Sequence, residues 1–293
     1  MLSILIPAYN YAVTTLVQEL HSQCLQSGIT FEIIVIDDSP TSALSIQNKN
    51  IAGLKHYYFI QNEVNLGRTL TRKKLAESAQ YKTLLFLDAD VIPADEDFIK
   101  RYIAFIGTPN QIVVGGYAYR YSDADATSQL RLKYGMEREQ KTAAVRNKNP
   151  FGSIFSGNFM IDKAVFLQNN YPENHNFYGM DNYFSYSLFI NKVSVVHINN
   201  NIYHLGLESD AVFFNKCLQS VRVRKQLLAD KPGINTINSL IRYYNTLKKY
   251  HLKPLVRFAF RLTEPFLKKM IMKKDPNLFC LDLYRLGYIC TSK

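Results

Sequence analysis

The chain has 293 residues, 47% of them hydrophobic and 20% charged, and carries a formal charge of +11 at pH 7. This balance excludes a disordered or fibrous chain, and the length is enough to bury the core of one large domain, alone or with an appendage. Four cysteines (Cys24, Cys217, Cys280, Cys290) fall at no paired metal-ligand spacing and read as reduced thiols rather than a disulfide framework. The first residues enter an apolar strand without a basic leader, which predicts no signal peptide, and no apolar run reaches the roughly 18 residues a membrane-spanning helix needs.

Leu2–Ile6 reads as a buried strand that Pro7-Ala8-Tyr9-Asn10 breaks. The spacing of Val13, Leu16, Val17, Leu20 and Cys24 predicts a helix over 13–26. Phe31–Ile36 is a second apolar strand, closed by Asp37-Asp38-Ser39-Pro40, and His56–Ile60 is a third candidate. A helix is expected over 69–79, after Gly67, and then a strand, Thr83–Leu87, that ends abruptly at Asp88-Ala89-Asp90. Continuous apolar strands alternating with helices predict a parallel sheet. Beyond Pro93 the pattern loosens into a helix over 95–106, a strand over 111–119, a polar helix and mobile loop over 124–146, and a strand region over 153–161. A short helix over 180–190 and a strand over 193–198 follow. From Ser209 the chain reads as helices over 209–229, 235–250 and 254–272, with Phe279–Tyr288 apolar enough to fold back onto the body.

Two of the early strands end in carboxylate pairs, Asp37-Asp38 and Asp88-Ala89-Asp90. As parallel neighbours they would share the carboxyl rim of the sheet, where open α/β folds bind ligands. Carboxylates at the edge of a core are costly without a cation, and a hard divalent ion that also holds a phosphate suits Asp88 and Asp90. The other pair suits a base or ribose, or a helix cap. Gly67 permits a tight turn into a helix whose N-terminus favours anions. Arg68 and Arg72, four apart, would share a face that suits a diphosphate or simply meets water.

Several segments together resemble family 2 glycosyltransferases of the GT-A fold. They are Ser3–Asn10, Val35–Ser39, Asn65-Leu66-Gly67-Arg68 with Arg72, Leu87–Asp90, Ser156–Phe159, Tyr178–Asp181 and Tyr203-His204. The resemblance covers about residues 1–205. It implies an α/β GT-A domain over 1–207, with a mixed, mainly parallel sheet flanked by helices. A nucleotide-binding half would span 1–92 and an acceptor half 93–207, followed by a basic helical region over 208–293.

The resemblance also implies a nucleotide-diphosphate-sugar donor, a UDP-sugar foremost, and Mg2+ or Mn2+. Asp38 would face the base, with Pro7, Tyr9 and Asn10 beside it. Gly67, Arg68 and Arg72 would lie near the nucleotide or its diphosphate. Asp88 would face the ribose, followed in the motif by Ala89, and Asp90 would hold the metal. His204 would add a metal or diphosphate contact, and Asn158 a contact to the donor or acceptor sugar. Asp181 would act as general base toward an acceptor hydroxyl, in a single displacement with inversion. Met180 departs from the family pattern, which has the first of two acids at that position. The acceptor is expected to be a glycan or a lipid-linked glycan in cell-surface polysaccharide synthesis. Two other readings stand beside this one. A nucleotidyltransferase would want a Gly-rich loop where Pro7–Asn10 lies, and a non-catalytic protein would only bind nucleotide or an anionic surface.

Charge is unevenly placed. Residues 1–199 carry 18 Lys/Arg and 18 Asp/Glu, whereas 200–293 carry 17 and 6. Residues 248–274 hold nine Lys/Arg and one acid, Glu264, with apolar residues at Leu255, Val256, Ala259, Leu262, Phe266, Met270 and Ile271. A basic amphipathic helix reads as an element on an anionic membrane surface or as one packed on the catalytic domain. The charge does not follow a nucleic-acid-binding module, so no nucleic-acid partner is expected. The expected location is cytoplasmic, peripheral on the inner face of the membrane. Arg131–Arg146 reads as a lid over a diphosphate or as a solvated helix. Gln219-Ser220-Val221-Arg222-Val223 is similar to the Gln-x-x-Arg-Trp signature of processive synthases but lacks the Trp, which predicts one sugar per encounter.

Overall fold

A computed structural model describes residues 1–51, 53–108, 111–171 and 177–292. Its strands are β1 Leu2–Ala8, β2 Phe31–Asp37, β3 Tyr57–Gln61, β4 Thr83–Leu87, β5 Val91–Pro93, β6 Ile112–Ala118, β7 Asn158–Asp162 and β8 Val195–His204. They form one sheet in the order β3–β2–β1–β4–β7–β6–β8–β5. The first four are mutually parallel, as the continuous apolar runs predict, and β6 is parallel to β8. β7 runs antiparallel to β4 and β6, and β5 antiparallel to β8, so the sheet is mixed.

Pro7 does not break β1, contrary to the sequence expectation. Leu2 N–H donates to Thr30 and Ala8 C=O accepts from Asp38 N–H, so the even residues of β1 face β2. Pro7 therefore faces β4, whose pairing with β1 stops at Leu5↔Phe86. The missing N–H falls where no ladder bond is due.

Two features of β5 and β8 escape the sequence pattern. β5 is three residues long and begins directly after Asp90. β8 continues past the expected end at 198 to His204, and β5 pairs along its last part, with Val91 opposite His204. That pairing places Asp90 beside the end of β8.

β6 carries a register shift between Val114 and Gly116 against β8. A Cβ at Gly115 would overlap the Asn158 amide, and one at Gly116 would overlap Asn201, so the irregularity needs these glycines.

The described chain divides into two compact units, one of 1–118, 140–171 and 187–206, the other of 119–139, 177–186 and 207–292. The chain passes to the second unit for the last time after Gly206, and 119–139 and 177–186 also belong with the C-terminal helices. The second unit packs Leu130, Phe213, Phe214, Phe260, Leu267, Ile271, Leu281 and Tyr284 into its own core. Gly287 lets helix Leu278–Thr291 approach the Phe260 ring, which an added Cβ would overlap. The helix expected over 235–250 is interrupted: Ile234–Ile237 forms a single turn, and Asn238 caps Ser239–Lys249 by accepting from Ile241 N–H.

In Arg131–Arg146, read from the sequence as a lid or as a solvated helix, the two terminal arginines are buried anchors. Arg131 pairs with Glu139 at 3.1 Å inside the second unit. Arg146, 1% exposed, donates to His197 Nδ1 and to the Ile198 carbonyl inside the first. A guanidinium buried against fixed carbonyl and ring acceptors is a cross-link, not a moving arm.

Candidate active site

β2, β1 and β4 are adjacent and parallel, so their carboxyl ends lie on one rim of the sheet. Asp37 and Asp38 leave β2 there. Asp37 is buried and ties the rim together. Its Oδ1 accepts from the N–H groups of Asn10 (3.2 Å) and Ser39 (3.1 Å), and its Oδ2 from Ser45 Oγ (3.0 Å). Asn10, at φ +48, turns the chain away after β1. Pro7 is half-buried in β1, and Tyr9 is exposed just beyond the strand.

Asp38 is buried as well. Its Oδ1 accepts from Asn62 Nδ2 (2.8 Å) and Leu66 N–H (2.8 Å), and its Oδ2 from Gly67 N–H (2.7 Å). The carboxylate thus caps helix Gly67–Ser78 from outside the helix, and Gly67, at φ +79, takes the turn that presents its N–H. This helix points Arg72 at the end of β4. Arg72, 8% exposed, donates to Asp88 Oδ1 at 2.5 Å. The two arginines expected to act together are therefore divided: Arg72 is buried in an ion pair, and Arg68 is exposed with its charge felt at Asp90.

Asp88 and Asp90 are both held closely. Asp88 N–H donates to the Gly157 carbonyl (3.3 Å), and a Cβ on Gly157 would overlap Asp88 Oδ2 and the Tyr117 hydroxyl. Ala89 lies half-buried between the two acids. The Asp90 carbonyl accepts from Leu205 N–H at 2.8 Å, and a Cβ on Gly206 would overlap Asp90 Oδ2. His204 Nε2 lies 3.7 Å from the same Oδ2. Burial raises the Asp90 carboxyl above its usual range and the Asp88 charge adds to this, whereas His204 and Arg68 pull it down. Burial and the Asp90 charge also push the Tyr11 phenol up.

The donor set fits one divalent cation. Two protein ligands about 2.1 Å from a shared ion lie within roughly 4 Å of each other, and the Asp90–His204 separation falls in that span. Among the described residues no group of three His, Cys, Asp or Glu side chains could hold a metal, so the other ligands would come from a phosphate or water.

Asn158 is corrected by its surroundings. It is fully buried, its Oδ1 accepts from Tyr102 Oη (2.7 Å), and its Nδ2 donates to the carbonyls of Gly116 and Asn200 (2.9 Å each). The amide fastens the irregular stretch of β6 and has no proton left for a sugar. The site residues missed in the sequence are Tyr11, Tyr117 and Gly206. Tyr11 directly follows Asn10 and Gly206 lies two positions after His204, whereas Tyr117 carries no sequence signal.

Asp181 belongs to the second unit, where it opens helix Asp181–Ile190. Gly179, at φ +97, lies against Ser220, and its carbonyl accepts from the backbone N–H and side-chain amide of Asn182. Met180 is buried, which suits the apolar residue found there.

Residues 3–168, more than half of the chain, match the family model described as Glycosyl transferase family 2. No curated protein matches the chain. Among solved structures the chain is similar to fragment 1–349 of Staphylococcus aureus TarS in complex with UDP, at 18% identity and a TM-score of 0.54, over 98% of this chain and 90% of that one. The same fragment in complex with UDP-GlcNAc gives 19% identity and a TM-score of 0.52, over 82% and 70%. A longer TarS chain gives 21% and 0.52, over 82% of this chain and 42% of its own. Likeness at these identities is likeness of fold, and with the mixed sheet it gives the GT-A architecture.

Proposed function

The chain belongs to glycosyl transferase family 2 and is a glycosyltransferase that draws on a nucleotide sugar; from that premise we propose that it moves a sugar from a UDP-sugar to a hydroxyl of a glycan or lipid-linked acceptor, with inversion, in cell-surface polysaccharide synthesis. The observation that carries this reading is the Asp90–His204 pair, 3.7 Å apart beside the Arg72–Asp88 ion pair at the end of β4. A uridine nucleotide is supported by the TarS fragments, which were solved with UDP and UDP-GlcNAc.

In this proposal Asp38, expected from the sequence to face the base, has both oxygens taken by Asn62, Leu66 and Gly67 and instead fixes the start of helix Gly67–Ser78, and so sets where Arg68 and Arg72 stand, while Pro7, Tyr9 and Asn10 lie beside the base. Arg72 holds one oxygen of Asp88, leaving the other to accept from a ribose hydroxyl. Arg68 attracts the diphosphate. Asp90 and His204 would hold Mg2+ or Mn2+, which when bound neutralises charge on the departing nucleotide diphosphate. Asp181 accepts the proton of the attacking acceptor hydroxyl.

Titration calorimetry with UDP tests the reading. Wild-type affinity should rise when Mn2+ is added, and Asp90→Ala should lose that rise while keeping a residual affinity. Equal wild-type affinity with and without Mn2+ would remove the metal from the proposal, and no UDP binding in either condition would overturn the donor.

A further inference from the structure

Helix Lys253–Ile271 carries two apolar faces. Phe260, Leu267 and Ile271 are buried in the core of the second unit. Leu255, Phe258, Leu262 and Phe266 are between 61% and 68% exposed. Their spacing of three and four residues makes one continuous stripe, and at about 100° per residue it lies roughly opposite the buried face. The stripe read from the sequence joined members of both sets, because periodicity does not say which side the core takes.

A helix on a water-exposed surface carries polar groups opposite its buried face. Here the charged groups are cations: Arg261 and Lys268 lie along one margin of the apolar stripe, and Lys269 continues the stripe toward the C-terminal end. Arg261, Lys268 and Lys269 are exposed on the helix, and Lys273 and Lys274 just beyond it. The helix has one acid, Glu264, which accepts from Tyr284 Oη at 2.7 Å toward the buried side. Apart from Thr263, whose hydroxyl donates to the Ala259 carbonyl, its exposed surface is therefore apolar and cationic, without a carboxylate.

We infer that this face docks on an anionic lipid bilayer, with Leu255, Phe258, Leu262 and Phe266 among the acyl chains and Arg261, Lys268 and Lys269 at the lipid phosphates. The charge selects this occupant. A second copy would bring the same cations against each other, whereas anionic lipid offers apolar chains and negative charge in one surface. No helix among the described residues is long and apolar enough to cross a membrane, so this one would lie in the interface plane. The inference does not depend on the transfer chemistry.

Sedimentation of the full chain with vesicles tests it. The protein should pellet with phosphatidylcholine–phosphatidylglycerol vesicles, less so as salt rises, and little with phosphatidylcholine alone. F258S/F266S should weaken this binding at least about tenfold, and R261E/K269E should abolish the preference for anionic vesicles. Both pairs face solvent, so melting temperature and UDP affinity should match the wild type and separate lost docking from lost folding or lost donor binding. Wild-type protein that stays in the supernatant, or F258S/F266S that pellets undiminished, would overturn the inference. So would a wild-type dimer in velocity sedimentation that F258S/F266S dissolves, since that assigns the face to a second copy.

Discussion

Arg72 reaches from helix Gly67–Ser78 to Asp88 at the end of β4, donating to its Oδ1 at 2.5 Å. A nearly buried guanidinium thus sets the position of the first acid of Asp88-Ala89-Asp90, while Asp38 caps the same helix from the end of β2. Two strand ends and one helix are cross-linked through carboxylates. Removing the cation takes the ion-pair partner from Asp88 Oδ1 at a partly dry rim. Arg72→Gln should therefore cost about 2 kcal/mol in urea unfolding, below the usual cost of breaking a fully buried pair because Asp88 keeps some water. It should also weaken UDP binding. An unchanged unfolding midpoint would show that the pair carries no stability.

Gly157 and Gly206 leave no room for a side chain beside Asp88 Oδ2 and Asp90 Oδ2. Each Cβ would press on a flexible carboxylate, so the strain should move the acids and leave the sheet intact. Gly206→Ala should keep the wild-type melting temperature within a few degrees and lower donor affinity about tenfold or more, since small misplacements at a site are costly. Calorimetry with UDP and Mn2+ reads the second effect. Wild-type affinity in Gly206→Ala would show that Asp90 has slack.

The first four strands are legible in the sequence because each is a largely unbroken apolar run, and the carboxylates that end two of them announce the rim. β5 is not legible. Val91-Ile92-Pro93 is short, and it becomes a strand only by pairing with residues more than a hundred positions away. The same non-local fact brings His204 to Asp90. The division of labour between Arg68 and Arg72 is hidden too, because helical spacing gives a shared face but not the acid that captures one of them. Asn158 reads as a site residue from its neighbours in sequence, yet Tyr102, Gly116 and Asn200 consume its amide.

His197 gives a pH dependence with a definite sign. Its Nε2 lies 2.8 Å from the Pro150 carbonyl and must donate, so Nδ1 is left to accept from Arg146 Nε at 3.2 Å. Protonating Nδ1 would set two donors face to face. Burial, with Arg146 adding to it, lowers the imidazole to about 4, against a partial opposing pull from the Pro150 carbonyl. The unfolded chain binds this proton more readily, so stability is fully present above about pH 6.5 and is lost as pH falls through 4. Each pH unit in that window is worth about 1.4 kcal/mol from this group. His197→Gln keeps a donor and an acceptor but cannot titrate. Its unfolding free energy should fall less than the wild type's between pH 7 and 4, and parallel curves would remove His197 as the source.

Asp181 follows a hydrogen-bonded turn. Gly179 accepts from the Asn182 backbone and side chain, Asn238 donates to Asn182 Oδ1 at 3.3 Å, and the helix begins at Asp181 itself. Asp181→Asn keeps the shape and removes the capacity to take a proton. Loss of the favourable N-terminal charge costs about 0.3–1 kcal/mol, and melting temperature checks that the fold survives. With donor binding unaffected in calorimetry, the transfer rate should fall about 10²–10⁴-fold, the usual worth of a positioned base. Such a split between retained UDP affinity and lost turnover is what a purely structural residue would not produce. A variant that transfers sugar within tenfold of the wild type, or that loses UDP affinity in step with rate, would assign the base to another residue.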